Sequence, residues 1–134
     1  MHHRLVRKAA QGILLSSLFA LTAACGYSHN YTQPTPGTMP AISLLNPASG
    51  TADNAVALEV DGTNFGSNAV INFNGAAITT TYVSTTKLTA TVPATAVMNT
   101  GAVPVTVTNP GTKGGQYGGG TQSETSTAVN FTVN

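Results

Sequence analysis

The chain has 134 residues, 41% of them hydrophobic and only 7% charged, with no tryptophan, one cysteine and a formal charge of +1. A single cysteine excludes a disulfide framework. Beyond residue 24, Lys87 and Lys113 stand against Asp53, Glu59, Asp61 and Glu124, two cations against four anions and a net of −2. That balance excludes a basic footprint for nucleic acid and a polybasic patch for anionic lipid.

Residues 1–24 read as a secretory signal peptide. Arg4, Arg7 and Lys8 make a basic start, and an apolar stretch from Ile13 to Ala24 follows, broken only by Ser16, Ser17 and Thr22. Small residues close it, which completes the signal pattern. The stretch is about a dozen residues against the ~20 that span a bilayer, so it is not expected to persist as a transmembrane helix. Thr22-Ala23-Ala24-Cys25 resembles a bacterial lipobox, whose cysteine becomes the lipidated first residue; Thr22 stands where that motif usually has an aliphatic. The resemblance implies export, lipid attachment at Cys25 and a cell-envelope location, on the outer membrane. Thr22-Ala23-Ala24 also fits ordinary signal peptidase, which would leave a soluble secreted or periplasmic protein.

Residues 25–39 read as a flexible tether, with Pro34, Pro36 and Gly37 among polar residues and no apolar period. Residues 26–39 would reach roughly 20 Å as coil and about 43 Å in polyproline form. His29 has no second ligand-type residue nearby and reads as a solvated linker residue, not a metal ligand.

Residues 40–134 have the size of one domain. Val56, Leu58 and Val60 alternate with Ala57 and Glu59; Val103, Val105 and Val107 with Pro104, Thr106 and Thr108; Val129, Phe131 and Val133 with Asn130 and Thr132. Side chains of a strand alternate between faces, so each run has one apolar face. Turn residues divide the runs. Asn46-Pro47-Ala48-Ser49-Gly50 follows the first, Asn74-Gly75 marks a two-residue hairpin, and Asn109-Pro110-Gly111 closes the Val103–Val107 strand. These features predict an all-β, antiparallel sandwich of about seven strands. The expected core is Ile42, Leu44, Val56, Leu58, Val60, Phe65, Val70, Phe73, Leu88, Val92, Val103, Val105, Val107, Val129, Phe131 and Val133.

From Pro40 to Asn134 the chain resembles a bacterial IPT/TIG domain, a branch of the immunoglobulin-like sandwiches. The opening Pro40-Ala41-Ile42-Ser43 and Asn46-Pro47-Ala48-Ser49-Gly50 match that family's first strand and turn. Val60-Asp61-Gly62-Thr63-Asn64-Phe65 resembles its strand-end motif, in which a Gly-containing turn delivers an aromatic. Val70-Ile71-Asn72-Phe73-Asn74-Gly75, Leu88-Thr89-Ala90-Thr91-Val92-Pro93, Val105-Thr106-Val107-Thr108-Asn109-Pro110 and Val129-Asn130-Phe131-Thr132-Val133 follow in the family's order. The run Gly114–Gly120 departs from it, as a longer and looser loop. The resemblance implies an immunoglobulin-like module without catalytic residues.

Function is expected to be binding or structural, not enzymatic. Beyond residue 24, His29 is the only histidine and lies in the tether, so a nucleophile–His–acid arrangement is not available. Asp61 and Glu59 are assigned to opposite faces of one strand, and Asp53 and Glu124 to loops, which disfavours a carboxylate pair. Asp61-Gly62-Thr63-Asn64 lacks the further acids of a calcium loop, so no metal and no cofactor is expected. The favoured reading is an envelope-tethered module for protein interaction or surface structure, docking a partner on open edge strands whose exposure Pro93 and Pro104 blunt. The alternative is a carbohydrate-binding module. Sugars stack on exposed aromatic rings; Tyr82 is expected to be half-buried, whereas Tyr117, in the glycine run, is the residue expected to be exposed on a binding loop.

Overall fold

Thr, Val and Ile are stiff at χ1 and pack well on a pleated surface, so runs rich in them settle as strands. The computed structural model describes residues 31–134. Residues 1–24, read as a signal peptide, and Cys25 and His29 lie outside the described residues. In chain order the strands are β1 (Ala41–Asn46), β2 (Ser49–Gly50), β3 (Val56–Thr63), β4 (Val70–Phe73), β5 (Ala76–Ala77), β6 (Thr80–Ser84), β7 (Lys87–Val92), β8 (Gly101–Asn109), β9 (Lys113–Gly115), β10 (Gly118–Gly120), β11 (Glu124–Thr125) and β12 (Val129–Val133).

Seven of these build the sandwich. β1, β3, β7 and β6 lie side by side in that order as one antiparallel sheet. β12, β8 and β4 form the facing sheet, with β2 added beside β12 and β5 beside β4. β2 pairs parallel to β12, so the chain changes sheets between β1 and β2, at the cis Asn46–Pro47 peptide. Asn74 and Gly75 both take positive φ (52° and 78°) and join Phe73 to Ala76. Two successive positive φ values are what the predicted hairpin turn requires.

The core lies between the sheets. Leu45, Val56, Leu58, Val60, Leu88 and Val92 point in from the first sheet, and Ile71, Phe73, Val105, Val107, Phe131 and Val133 from the second. Phe65 and Val97 are buried at the ends of the sandwich. Phe73 and Phe131 meet edge to face, with ring centroids 5.5 Å apart and planes at 65°. Such a pair adds about 0.5–1.5 kcal/mol beyond the area that it buries.

Two core expectations and one turn are corrected. Leu44 is 54% exposed whereas Leu45 is 3% exposed, because the pairing of β1 with β3 slips between Ile42 and Leu44. The slip is a bulge at Ser43, and one extra residue turns the following side chains to the other face. Val70 is half-buried and Ile71 fully buried. Residues 70 and 73 are an odd number apart and cannot share a face of one strand, so Phe73 brings Ile71 inward. In the Asp61–Phe65 segment Gly62 continues β3, and the chain turns at Asn64, whose φ is 61°.

The glycine run is not a loose loop. It folds as the β9–β10 hairpin, with Gln116 and Tyr117 at its turn. Against it lies part of the segment read as tether. Thr32 pairs with Gly118 and Thr35 with Thr121. Thr32 N–H donates to the Tyr117 carbonyl at 3.0 Å, Thr35 N–H to the Gly120 carbonyl at 3.0 Å, and Gln122 N–H to the Thr35 carbonyl at 2.8 Å. A Cβ on Gly118 would strike the Thr32 carbonyl, so the glycine permits this approach.

We predict that Leu45→Ala costs about 2–5 kcal/mol of stability and Leu44→Ala no more than about 0.5 kcal/mol. Urea unfolding of both variants checks this. Equal costs would show that the bulge does not set the inward face.

Candidate functional site

The outer face of the four-stranded sheet is a line of small polar residues. Ala57 and Glu59 of β3 stand beside Thr89 and Thr91 of β7, which stand beside Thr81 of β6. With Asn46, Pro47 and Thr79 they line a shallow hollow of about 720 Å³. The hydroxyls of Thr79, Thr81, Thr89 and Thr91 take no partner among the described residues. The opposite sheet differs: there Thr108 bonds Thr125 at 2.8 Å, and the Asn72 amide donates to the Thr108 hydroxyl at 2.9 Å. Around Asn72 and Thr108 the outward polar groups bond one another, whereas the four threonines of the hollow offer theirs to solvent or a ligand.

Strand β6 borders the hollow and pairs on one side only. Its register with β7 slips between Tyr82 and Ser84, which leaves Val83 54% exposed. Tyr82 is 37% exposed, more open than the half-buried position expected. Neither proline predicted to blunt an edge does so. Pro93 follows β7, an inner strand, and Pro104 lies inside β8, between β12 and β4. Pro104 is accommodated because β4 has already turned at Asn74, whose N–H donates to the Pro104 carbonyl. No ladder bond from β4 is lost there.

Glu59 and Asp61 are corrected: they share one face. They are two residues apart in β3, and a strand repeats its direction every second residue. Lys87, opposite Asp61 in β7, donates to Glu59 Oε1 at 2.7 Å and lies 3.6 Å from Asp61 Oδ1. The hydrogen bond to Glu59, reinforced by Asp61, holds the Lys87 ammonium above the usual lysine range. All three side chains are about one-third exposed, and a solvated trio of this kind orders a surface without driving chemistry. Among the described residues no group of three or more His, Cys, Asp or Glu is placed to hold a metal.

Asn109, which the sequence reading treats only as a turn residue, joins three segments. Its amide donates to the carbonyls of Thr38 at 2.8 Å and Asn64 at 2.7 Å, and its Oδ1 accepts from Gly66 N–H at 2.9 Å. The Asn64 amide in turn donates to the Met39 carbonyl at 3.3 Å. An Asn directly before Pro at a strand end is the available signal, and a weak one. Tyr117 stands at the tip of the β9–β10 hairpin, 69% exposed and away from the hollow-lining residues; Cys25 lies outside the described residues.

Two facing antiparallel sheets of this order define an immunoglobulin-like sandwich. Residues 40–133 match the IPT/TIG domain model, and the chain belongs to that family. It is a family of immunoglobulin-like domains that are not themselves catalytic. Among solved structures, a Gamma-CGTase from the alkalophile Bacillus clarkii is similar at 23% identity and a TM-score of 0.51, over 72% of this chain and 12% of that one. An auxiliary nutrient binding protein from Bacteroides ovatus is similar at 22% identity and TM-score 0.46, over 77% of this chain and 22% of that one. A Bacteroides thetaiotaomicron protein named as a phosphatase is similar at 23% identity and TM-score 0.45, over 75% and 20%. The chain thus spans between 12% and 22% of the length of these proteins, and the likeness is one of fold. No curated protein matches the chain by sequence.

The raised Lys87 pKa has a defined consequence for stability. A lysine whose folded pKa exceeds its unfolded value of about 10.4 stabilises the fold below that value, and loses the contribution as pH rises through the folded pKa. Melting temperature should therefore fall more steeply above about pH 10 in the wild type than in Lys87→Met. Parallel alkaline slopes in a calorimetric pH series would contradict the assignment.

Proposed function

We propose that the protein is a non-catalytic recognition module, held at the cell envelope by lipid on Cys25, that docks an extended polypeptide of an envelope partner along β6. The observation that carries this reading is the one-sided pairing of β6 beside a hollow lined by unpartnered hydroxyls. An incoming strand would satisfy the open backbone groups of β6. Its alternate side chains would lie over Thr79, Thr81, Thr89 and Thr91, so backbone bonds supply affinity and the hollow supplies selectivity.

Catalysis has no place in this reading. The described residues contain neither His nor Cys, and the carboxylates on one face share a lysine. A carbohydrate-binding role is less well supported at the hollow, because no aromatic ring lines it for a sugar to stack on.

The test is chemical cross-linking of the mature protein in envelope fractions, comparing wild type with Thr81→Lys and Val83→Pro. Capture of an envelope polypeptide should fall about tenfold or more in both variants, with melting temperatures close to wild type. Capture that is indifferent to both substitutions, or retention on insoluble polysaccharide instead of a polypeptide, would refute the proposal. Mass spectrometry of the processed chain tests the anchor separately, since an unmodified Cys25 removes it.

A further inference from the structure

Pairing of Thr32 with Gly118 does more than shorten the tether. It places Tyr31 next to the hairpin tip that carries Tyr117, and these side chains are 72% and 69% exposed. The hairpin itself carries no acid, and the next acidic residue, Glu124, lies beyond it beside Gly37. No acidic residue occurs in 26–40 or in 111–123, and the exposed Lys113 lies on β9 of the same hairpin. The glycine-built hairpin therefore presents two amphipathic rings, one cation and no anion.

Chain length limits how far this end can stand from Cys25. Thr32 is fastened to the hairpin through the Tyr117 carbonyl and the Gly119 N–H. Seven residue steps separate Cys25 from Thr32, and whatever their path they span at most about 25 Å. A lipid on Cys25 thus keeps the hairpin end near the bilayer. The opposite end of the sandwich is not bound in this way, since β8 alone runs nine residues, about 30 Å, before the chain enters the hairpin.

We infer that the β9–β10 hairpin, with Tyr31 and Tyr117, is a membrane-contact face that rests in the headgroup layer of the bilayer to which Cys25 is anchored. The inference depends on the anchor in the reading above but not on docking at β6. Tyrosine suits this position because its ring is apolar and its hydroxyl is not, the property that concentrates it at membrane–water interfaces. The lipid and the two rings would then fix the domain's orientation, leaving β6 and the hollow to be met from the side.

The chain has no tryptophan, so one introduced indole is a unique reporter. The lipidated protein carrying Tyr117→Trp, or Met98→Trp as a control on the segment before β8, is reconstituted in phosphatidylcholine–phosphatidylglycerol vesicles with or without brominated acyl chains. Brominated lipid should lower the Tyr117→Trp emission about twofold and shift it to the blue, and leave Met98→Trp unchanged. Vesicle flotation is read on the same samples. Protein that floats with an unquenched Tyr117→Trp overturns the inference and leaves the anchor intact. Protein that does not float removes the anchor, and the inference with it. Retention of the wild type on insoluble glycan, lost in Tyr117→Ala with the indole unquenched, would assign the rings to sugar and also overturn it.

Discussion

Apolar packing between two sheets is the constraint on which the rest of this structure depends. The single cysteine supplies no cross-link within the domain, so the faces carrying Phe73 and Phe131 must hold by side-chain fit alone. Each strand commits one face to that fit, and strand geometry sends the alternate residues outward. The outer faces are therefore by-products of the core, and their composition is free to serve recognition. At Asn72, Thr108 and Thr125 the outward polar groups close on themselves; at Thr79, Thr81, Thr89 and Thr91 they stay open beside an edge strand.

The second organising feature is the capture of the chain's entry into the domain. Asn109 binds the Thr38 carbonyl, and the glycine hairpin binds Thr32 and Thr35. Three successive glycines with φ of 91°, 87° and 88° give that hairpin a backbone path suited to receive another strand. The glycine hairpin is thus a clamp on the incoming segment. It makes most of residues 32–38 part of the folded body instead of a spacer.

Much of the sandwich was legible because period-two alternation reports burial directly. Val56, Leu58 and Val60, or Phe131 and Val133, need no tertiary information to be placed inward. The errors arise where the period is interrupted or a partner is remote. A bulge at Ser43 exchanges Leu44 for Leu45, and only the pairing with β3 shows it. Ser126 gives a similar case: its hydroxyl accepts the Val107 N–H at 3.0 Å, bridging the gap between β11 and β12, and nothing in the local pattern marks it. The placement of Glu59 and Asp61 on opposite faces was an error of period, since the sequence itself puts them on one. The exposure of Tyr117 was legible from its glycine neighbours, whereas its pairing to Thr32 depends on residues 85 positions apart.

Residue-resolved amide hydrogen exchange of the mature protein tests most directly whether packing and the hairpin clamp make one folded unit beginning at Thr32. Amides of Val107 and Phe131 should exchange only through global unfolding, and those of Thr35, Gly119 and Gln122 should be slowed at least about a hundredfold relative to an unstructured peptide. Exchange of Thr35, Gly119 and Gln122 at free-peptide rates, with the sandwich amides still protected, would contradict the account.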